Sequence, residues 1–108
     1  MAKLEKTING NFSQILQRIE AGVLNGSVTA SLEESADYRA AGSRCSVRVF
    51  ERYSYMGGNR VSMSVTLFQS GDGPVQLCAI TSGGSQAMFF KLNTFGEESF
   101  LQTLADLF

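Results

Sequence analysis

The sequence predicts an α+β fold: an antiparallel sheet of five or six strands with two helices packed on one face, in the order β-α-β-β-β-β-β-α. Three observations predict it. Two segments, 12–23 and 100–108, carry apolar side chains at the 3.6-residue spacing of a helix. The stretch Arg44–Asn93 alternates apolar and polar residues between Gly-rich breaks at Gly57-Gly58-Asn59, Ser70-Gly71-Asp72-Gly73 and Gly83-Gly84. One choice of register puts the apolar set of all these strands on a single side, and such agreement between local and global pattern marks a foldable sequence.

The 108 residues suit one domain spanning 1–108. Area scaling gives roughly 5,900 Å² folded against roughly 17,000 Å² unfolded, enough for one core without staples. The 44% hydrophobic content is too high for disorder. No apolar run approaches the roughly 18 residues of a membrane span. The N-terminal Met-Ala-Lys-Leu-Glu-Lys has no apolar h-region, so no secretion signal is expected and the location reads as cytoplasmic.

Lys3–Ile8 reads as a first strand with Leu4 and Ile8 on one side. Phe12, Ile15, Leu16, Ile19 and Val23 form the apolar face of the first helix, with Asn11 as N-cap, Gln14 three residues on, and Gly22 and Asn25-Gly26 ending it. Val28, Ala30 and Leu32 alternate with Thr29, Ser31 and Glu33 as a half-buried strand. Residues 34–43 show neither period and read as a surface loop.

In the meander, Val61, Met63, Val65 and Leu67 face the core. A three-residue loop at Gly57-Gly58-Asn59 sets Val49 opposite Leu67 and Tyr53 opposite Met63, with Cys45 and Val47 on the same side. A two-residue loop would instead aim Arg48 and Arg52 inward, so the three-residue loop is preferred. The next hairpin pairs Val65 with Leu77 and Met63 with Ala79. A Gly83-Gly84 turn then pairs Ala79 with Met88, Leu77 with Phe90 and Val75 with Leu92. The final helix opens on a capping box, Thr94 with Glu97, and buries Phe100, Leu101, Leu104, Leu107 and Phe108.

Three runs carry a resemblance. They are Glu51-Arg52-Tyr53-Ser54-Tyr55-Met56-Gly57-Gly58-Asn59-Arg60-Val61, the run Ile80-Thr81-Ser82-Gly83-Gly84-Ser85-Gln86-Ala87-Met88-Phe89-Phe90-Lys91, and Asn93-Thr94-Phe95-Gly96-Glu97-Glu98. The chain resembles, over nearly its whole length, a family of small uncharacterised bacterial proteins of unknown function. That resemblance implies a stand-alone bacterial cytoplasmic domain, and it brings no activity, cofactor or catalytic residue with it.

The composition excludes much chemistry. There is no His, so the commonest general base and metal ligand are missing. Cys45 and Cys78 are too far apart in sequence for a CxxC pair and too few for a zinc site. No catalytic residue, metal or cofactor is assigned. The near-neutral net charge of −1 argues against nucleic acid. Arg39, Arg44, Arg48, Arg52 and Arg60 nevertheless cluster against Glu51 alone, a stripe able to hold an anion or to form a solvated strand face.

Two readings compete. In the first, a non-enzymatic domain binds a second copy or a protein partner through the open sheet face, as a homodimer with Phe50, Phe68, Cys78, Ile80 and Phe89 in the interface. The expected outer rows are Arg52–Ser64–Cys78–Phe89 and Ser54–Ser62–Ile80–Ala87. An open sheet face is normally polar, so phenylalanines and an isoleucine there point to a contact surface. In the alternative, a small-molecule or anion site uses Arg48, Glu51, Arg52, Tyr53, Tyr55 and Arg60. There Glu51 lies on the inward face, where it forms a polar pocket or pairs with Arg18 or Lys6. The Ser82-Gly83-Gly84-Ser85 amides are a weaker anion candidate, since a tight hairpin turn explains both glycines.

Overall fold

The computed structural model describes residues 1–54, 59–83 and 90–108, with side chains over 1–53, 60–83 and 97–108. Its elements are β1 (Ala2–Ile8), α1 (Phe12–Asn25), β2 (Ser31–Ala40), β3 (Ser43–Ser54), β4 (Asn59–Ser70), β5 (Val75–Gly83) and α2 (Phe90–Ala105). The five strands form one antiparallel sheet in the order β1-β5-β4-β3-β2. The class is α+β, and both helices pack on the same face.

The first helix follows its sequence signals. The Asn11 side chain accepts a 3.0 Å hydrogen bond from Gln14 N, satisfying one of the amides left free in the first turn. Phe12, Ile15, Ile19 and Val23 are buried on one stripe. Gly22 does not end the helix; Gly26 caps it. A Cβ at Gly22 would lie 2.6 Å from Leu107 Cδ1, so the glycine leaves room for the Leu107 side chain, two residues past the end of α2. Because β1 and β2 are opposite edges of the sheet, α1 carries the chain across its full width.

β2 lies later than the alternation predicts. Val28 is fully exposed, and the strand runs from Ser31 to Ala40 through the segment read as a loop. As an edge strand it is exposed on most of its length, so neither face imposes an apolar period. Its pairing with β3 holds it. A two-residue turn closes that hairpin, with Ala41 at φ 50° and Gly42 at φ 81°, the backbone of a type I′ connection.

The β3–β4 register is the main correction. Phe50 pairs with Met63, Arg52 with Val61, Arg48 with Val65 and Ser46 with Leu67. Pairs of opposite residues share a face, so Ser46, Arg48, Phe50 and Arg52 point toward the helices, while Cys45, Val47, Val49, Glu51 and Tyr53 point outward. Phe50 is completely buried and is a core residue, not an interface residue. The preference for the other phase fails because the helices supply partners for the inward arginines.

The β4–β5 pairing is displaced by two residues from expectation, with Val65 opposite Ala79 and Met63 opposite Thr81. A two-residue displacement leaves every side chain on its expected face. β5 then pairs with β1, Leu4 meeting Ala79 and Ile8 meeting Val75. Of the strand expected after Gly84, residues 84–89 lie outside the described residues, Phe89 and Met88 among them. Phe90 and Leu92 belong to α2, so they do not pair with Leu77 and Val75. Thr94 is accordingly within α2 and not its cap.

The core lies between the inner sheet face and the helices. Ile19, Phe50, Val61, Met63, Leu67, Val75, Ala79, Phe100 and Leu104 have no exposed surface. Leu101, Leu107 and Phe108 pack at its margin.

Candidate functional site

The inner face of β3 carries a row of cations at every fourth residue. In a strand that spacing keeps side chains on one face. The Arg44 guanidinium stacks 4.0 Å from the centre of the Phe12 ring and donates to Ser13 Oγ at 3.3 Å. Arg48 Nε donates to Glu20 on α1 at 2.8 Å, and its Nη1 donates to the Val47 carbonyl at 2.9 Å. Nη1 also lies 3.1 Å from Asp37 on β2. Arg52 donates to Ser99 at 2.9 Å and to Thr103 at 3.4 Å on α2, and stacks 4.6 Å over Phe100. These three side chains attach the sheet to both helices.

Their protonation follows from the partners. Burial opposes the Arg48 charge, but the Glu20 and Asp37 carboxylates outweigh it and its pKa lies above the usual arginine value. Burial lowers the pKa of Arg52, which has hydroxyls and a ring but, among the described residues, no carboxylate in ion-pair contact with it. The Asp37 carboxyl is held below its ordinary value, first by the Ser46 hydroxyl at 2.6 Å and then by Arg48.

Among the described residues nothing covers the outer face. Pairing places its side chains in rows across all five strands. One row runs Glu34, Val49, Ser64, Ile80, Lys3; the next runs Ala36, Val47, Thr66, Cys78, Glu5; a third runs Tyr38, Cys45, Phe68, Gln76, Thr7. The middle of the sheet carries apolar side chains, Val47, Val49, Phe68 and Ile80, among small or uncharged polar ones, Ser64, Thr66 and Gln76, and charges in these rows stand only on the edge strands. Phe68 is 44% exposed and Ile80 41%. Beside Phe68 runs a shallow groove of about 440 Å³, lined by Glu5, Thr7, Thr66, Gln76 and Cys78 among others. At one end of this face Arg60 Nε donates to Glu51 at 2.8 Å and Arg60 Nη2 reaches Ser31 Oγ at 3.3 Å.

A model of a family of unknown function matches residues 1–108. The chain belongs to DUF6054. No curated protein and no solved structure matches it.

The candidate ligand residues of this DUF6054 chain do not converge. Arg48 and Arg52 are on the inner face under the helices, whereas Glu51, Tyr53 and Arg60 are on the outer face. Tyr55 lies outside the described residues, as do Gly84 and Ser85 of the glycine turn. Glu51 therefore faces outward, half-buried, and pairs with Arg60 rather than with Arg18 or Lys6. Among the candidate interface residues, Phe68, Cys78 and Ile80 are on the open face as expected, and Phe50 is not. In the DUF6054 sheet Val47, Val49, Cys45 and Tyr38 stand on the open face instead. The alternation of Cys45, Val47 and Val49 is visible in the sequence, but periodicity alone does not say which face it lines.

Among the described residues no group of three His, Cys, Asp or Glu is placed to hold a metal ion, and no helix is long and apolar enough to cross a membrane. Both cysteines are free thiols, half-buried on the outer face.

Proposed function

We propose that this domain acts by self-association, its open sheet face packing on the same face of a second copy. The observation that carries the reading is the row Glu34–Val49–Ser64–Ile80–Lys3: a small hydroxyl at its centre, an apolar residue on either side of it, and opposite charges at its two ends. A twofold axis lying along the central strand, β4, turns such a row onto itself end for end. Lys3 of one copy then stands over Glu34 of the other, Ile80 over Val49, and Phe68 over its own equivalent. Self-complementarity of this kind is what a closed twofold contact requires.

The size is suitable. Five strands at about 4.8 Å and seven residues at about 3.3 Å give a projected face of roughly 550 Å². Side-chain relief raises the accessible area toward the roughly 800 Å² per partner of a standard interface. Two sheets stacked about 10 Å apart make an ordinary sandwich. Lys3 now pairs 3.2 Å from Glu5, but both are well exposed and such a pair contributes little, so Lys3 is free to exchange partners. The two unbridged thiols suit a reducing compartment, which makes the reading one of a cytoplasmic dimer.

Sedimentation equilibrium tests it. The wild-type chain is expected to be a dimer at micromolar concentration with a melting temperature that rises with protein concentration, and Ile80→Lys a folded monomer whose melting temperature does not depend on concentration. Lys3→Glu and Glu34→Lys are each expected to weaken the dimer, and the double variant to restore it. A wild-type monomer at millimolar concentration overturns the reading.

A further inference from the structure

We infer that the closed end of the β2–β3 hairpin is a binding site for a phosphoryl group on a small molecule. Arg39 on β2, Arg44 on β3 and Gln69 on β4 form one straight cross-strand row on the inner-facing side, each directly opposite the next. They line a cavity of about 380 Å³ that the turn residues Ala41 and Gly42 and the neighbouring Gly71 complete. The site is separate from the outer face and does not depend on self-association.

Two like charges directly opposite each other in a sheet are destabilising unless something neutral or negative separates them. Among the described residues no carboxylate stands between them; Asp37, on the same face of β2, interacts with Arg44 at longer range without forming an ion pair with it. The other inward cation with a carboxylate within reach, Arg48, uses it, but among the described residues neither Arg39 nor Arg44 has an ion-pair partner. The contacts of Arg44 are a ring and a hydroxyl, Phe12 and Ser13, which position the guanidinium without neutralising it. Gln69 is positioned as well: its Nε2 donates to the Gly73 carbonyl at 2.8 Å, fixing the amide plane beside the arginines. Two facing guanidiniums are balanced by a dianion, and their planar forks match the oxygens of a phosphate. The cavity leaves room for an organic remainder beyond the phosphate itself.

The test is a thermal-unfolding titration of the whole chain with inorganic phosphate, with sodium chloride and sodium acetate matched in ionic strength. Ligand that binds only the folded state raises the melting temperature by mass action. Phosphate is expected to raise it beyond chloride and beyond acetate. Arg39→Gln, at an exposed position, is expected to weaken the apparent phosphate affinity at least about tenfold, the loss of one charge-assisted contact. Arg39→Glu is expected to abolish the phosphate response and to raise the melting temperature in chloride alone, because the new carboxylate neutralises Arg44. Lys6→Gln, on the far edge strand, is expected to leave the response intact. The proposal is overturned if phosphate does no more than matched chloride, if acetate matches phosphate, or if Lys6→Gln removes the response as fully as Arg39→Gln.

Discussion

Arg48 Nε and Glu20 Oε2 stand 2.8 Å apart and tie the middle of β3 to the third turn of α1, across the inner face of the sheet. The Arg48 side chain is 9% exposed, so its charge depends on Glu20, Asp37 and two backbone carbonyls. Removing one partner of such a pair leaves the other uncompensated. Arg48→Ala is expected to cost about 2–3 kcal/mol, below the range for fully buried pairs because Glu20 and Asp37 can turn to water. Arg48→Met keeps the apolar stem and is expected to cost less. Urea denaturation of the two variants checks the order.

Asp37 gives the fold a pH dependence of known sign. Its carboxyl is held below the ordinary value by Ser46 and Arg48, so the folded state favours the charged form. A depressed folded pKa contributes stability that is complete above the unfolded value of about 3.9 and disappears as pH falls through the folded value. Asp37→Asn is therefore expected to be less stable than wild type by a constant margin between about pH 5 and pH 8. That margin is expected to close in acid below pH 4 (~the unfolded value). Melting temperatures across this range measure it.

Gly22 sits where α1 meets the end of α2. An added methyl group would enter the space of Leu107, while alanine is the better helix former by about 1 kcal/mol. Leu107 is half-buried and near the C-terminus, so it can swing aside at small cost, and Gly22→Ala is expected to change stability by less than about 1 kcal/mol, the displaced packing of Leu107 offsetting the helix gain. Leu107→Ala empties the space. In that background Gly22→Ala is expected to be stabilising, and a double-mutant cycle reads the coupling directly.

Much of this fold is legible in the sequence, and the failures share a cause. The apolar stripe of α1, the Asn11 cap and the inward face of β4 depend on local pattern, and all are read correctly. The phase of β3 is not local. Arg48 faces inward because Glu20, far away in the chain, meets it there, and Arg52 because Ser99 and Thr103 do. β2 escapes notice because an exposed edge strand has no buried face to impose a period. The partner of β5 is misread because Leu77 pairs with Lys6 of β1, whose charged alternation carries little apolar signal. The open face keeps its character through these errors: Val47 and Val49 stand where Phe50 was expected, so an apolar surface remains for a different reason. The row Arg39–Arg44–Gln69 depends on β2 pairing with β3, which the aperiodic stretch 34–43 does not signal.

Phe50 and Phe68 separate the two phases of β3 and β4 by experiment. Phe50 pairs with Met63 and is fully enclosed, while Phe68 pairs with Cys45 and is 44% exposed on the open face. Truncating an enclosed phenylalanine leaves a cavity as well as losing transfer free energy, about 3–5 kcal/mol in all. Phe50→Ala is therefore expected to unfold the chain or lower its urea midpoint sharply. Phe68→Ala at dilute concentration, where the monomer is measured, is expected to cost less than about 1 kcal/mol. In the opposite phase, with Val49 inward, Phe50 would be on the surface and its truncation nearly neutral. A mild Phe50→Ala would thus reverse the faces of β3 and remove Arg48 from beneath the helices, whereas a severe one with a mild Phe68→Ala fixes the register described above.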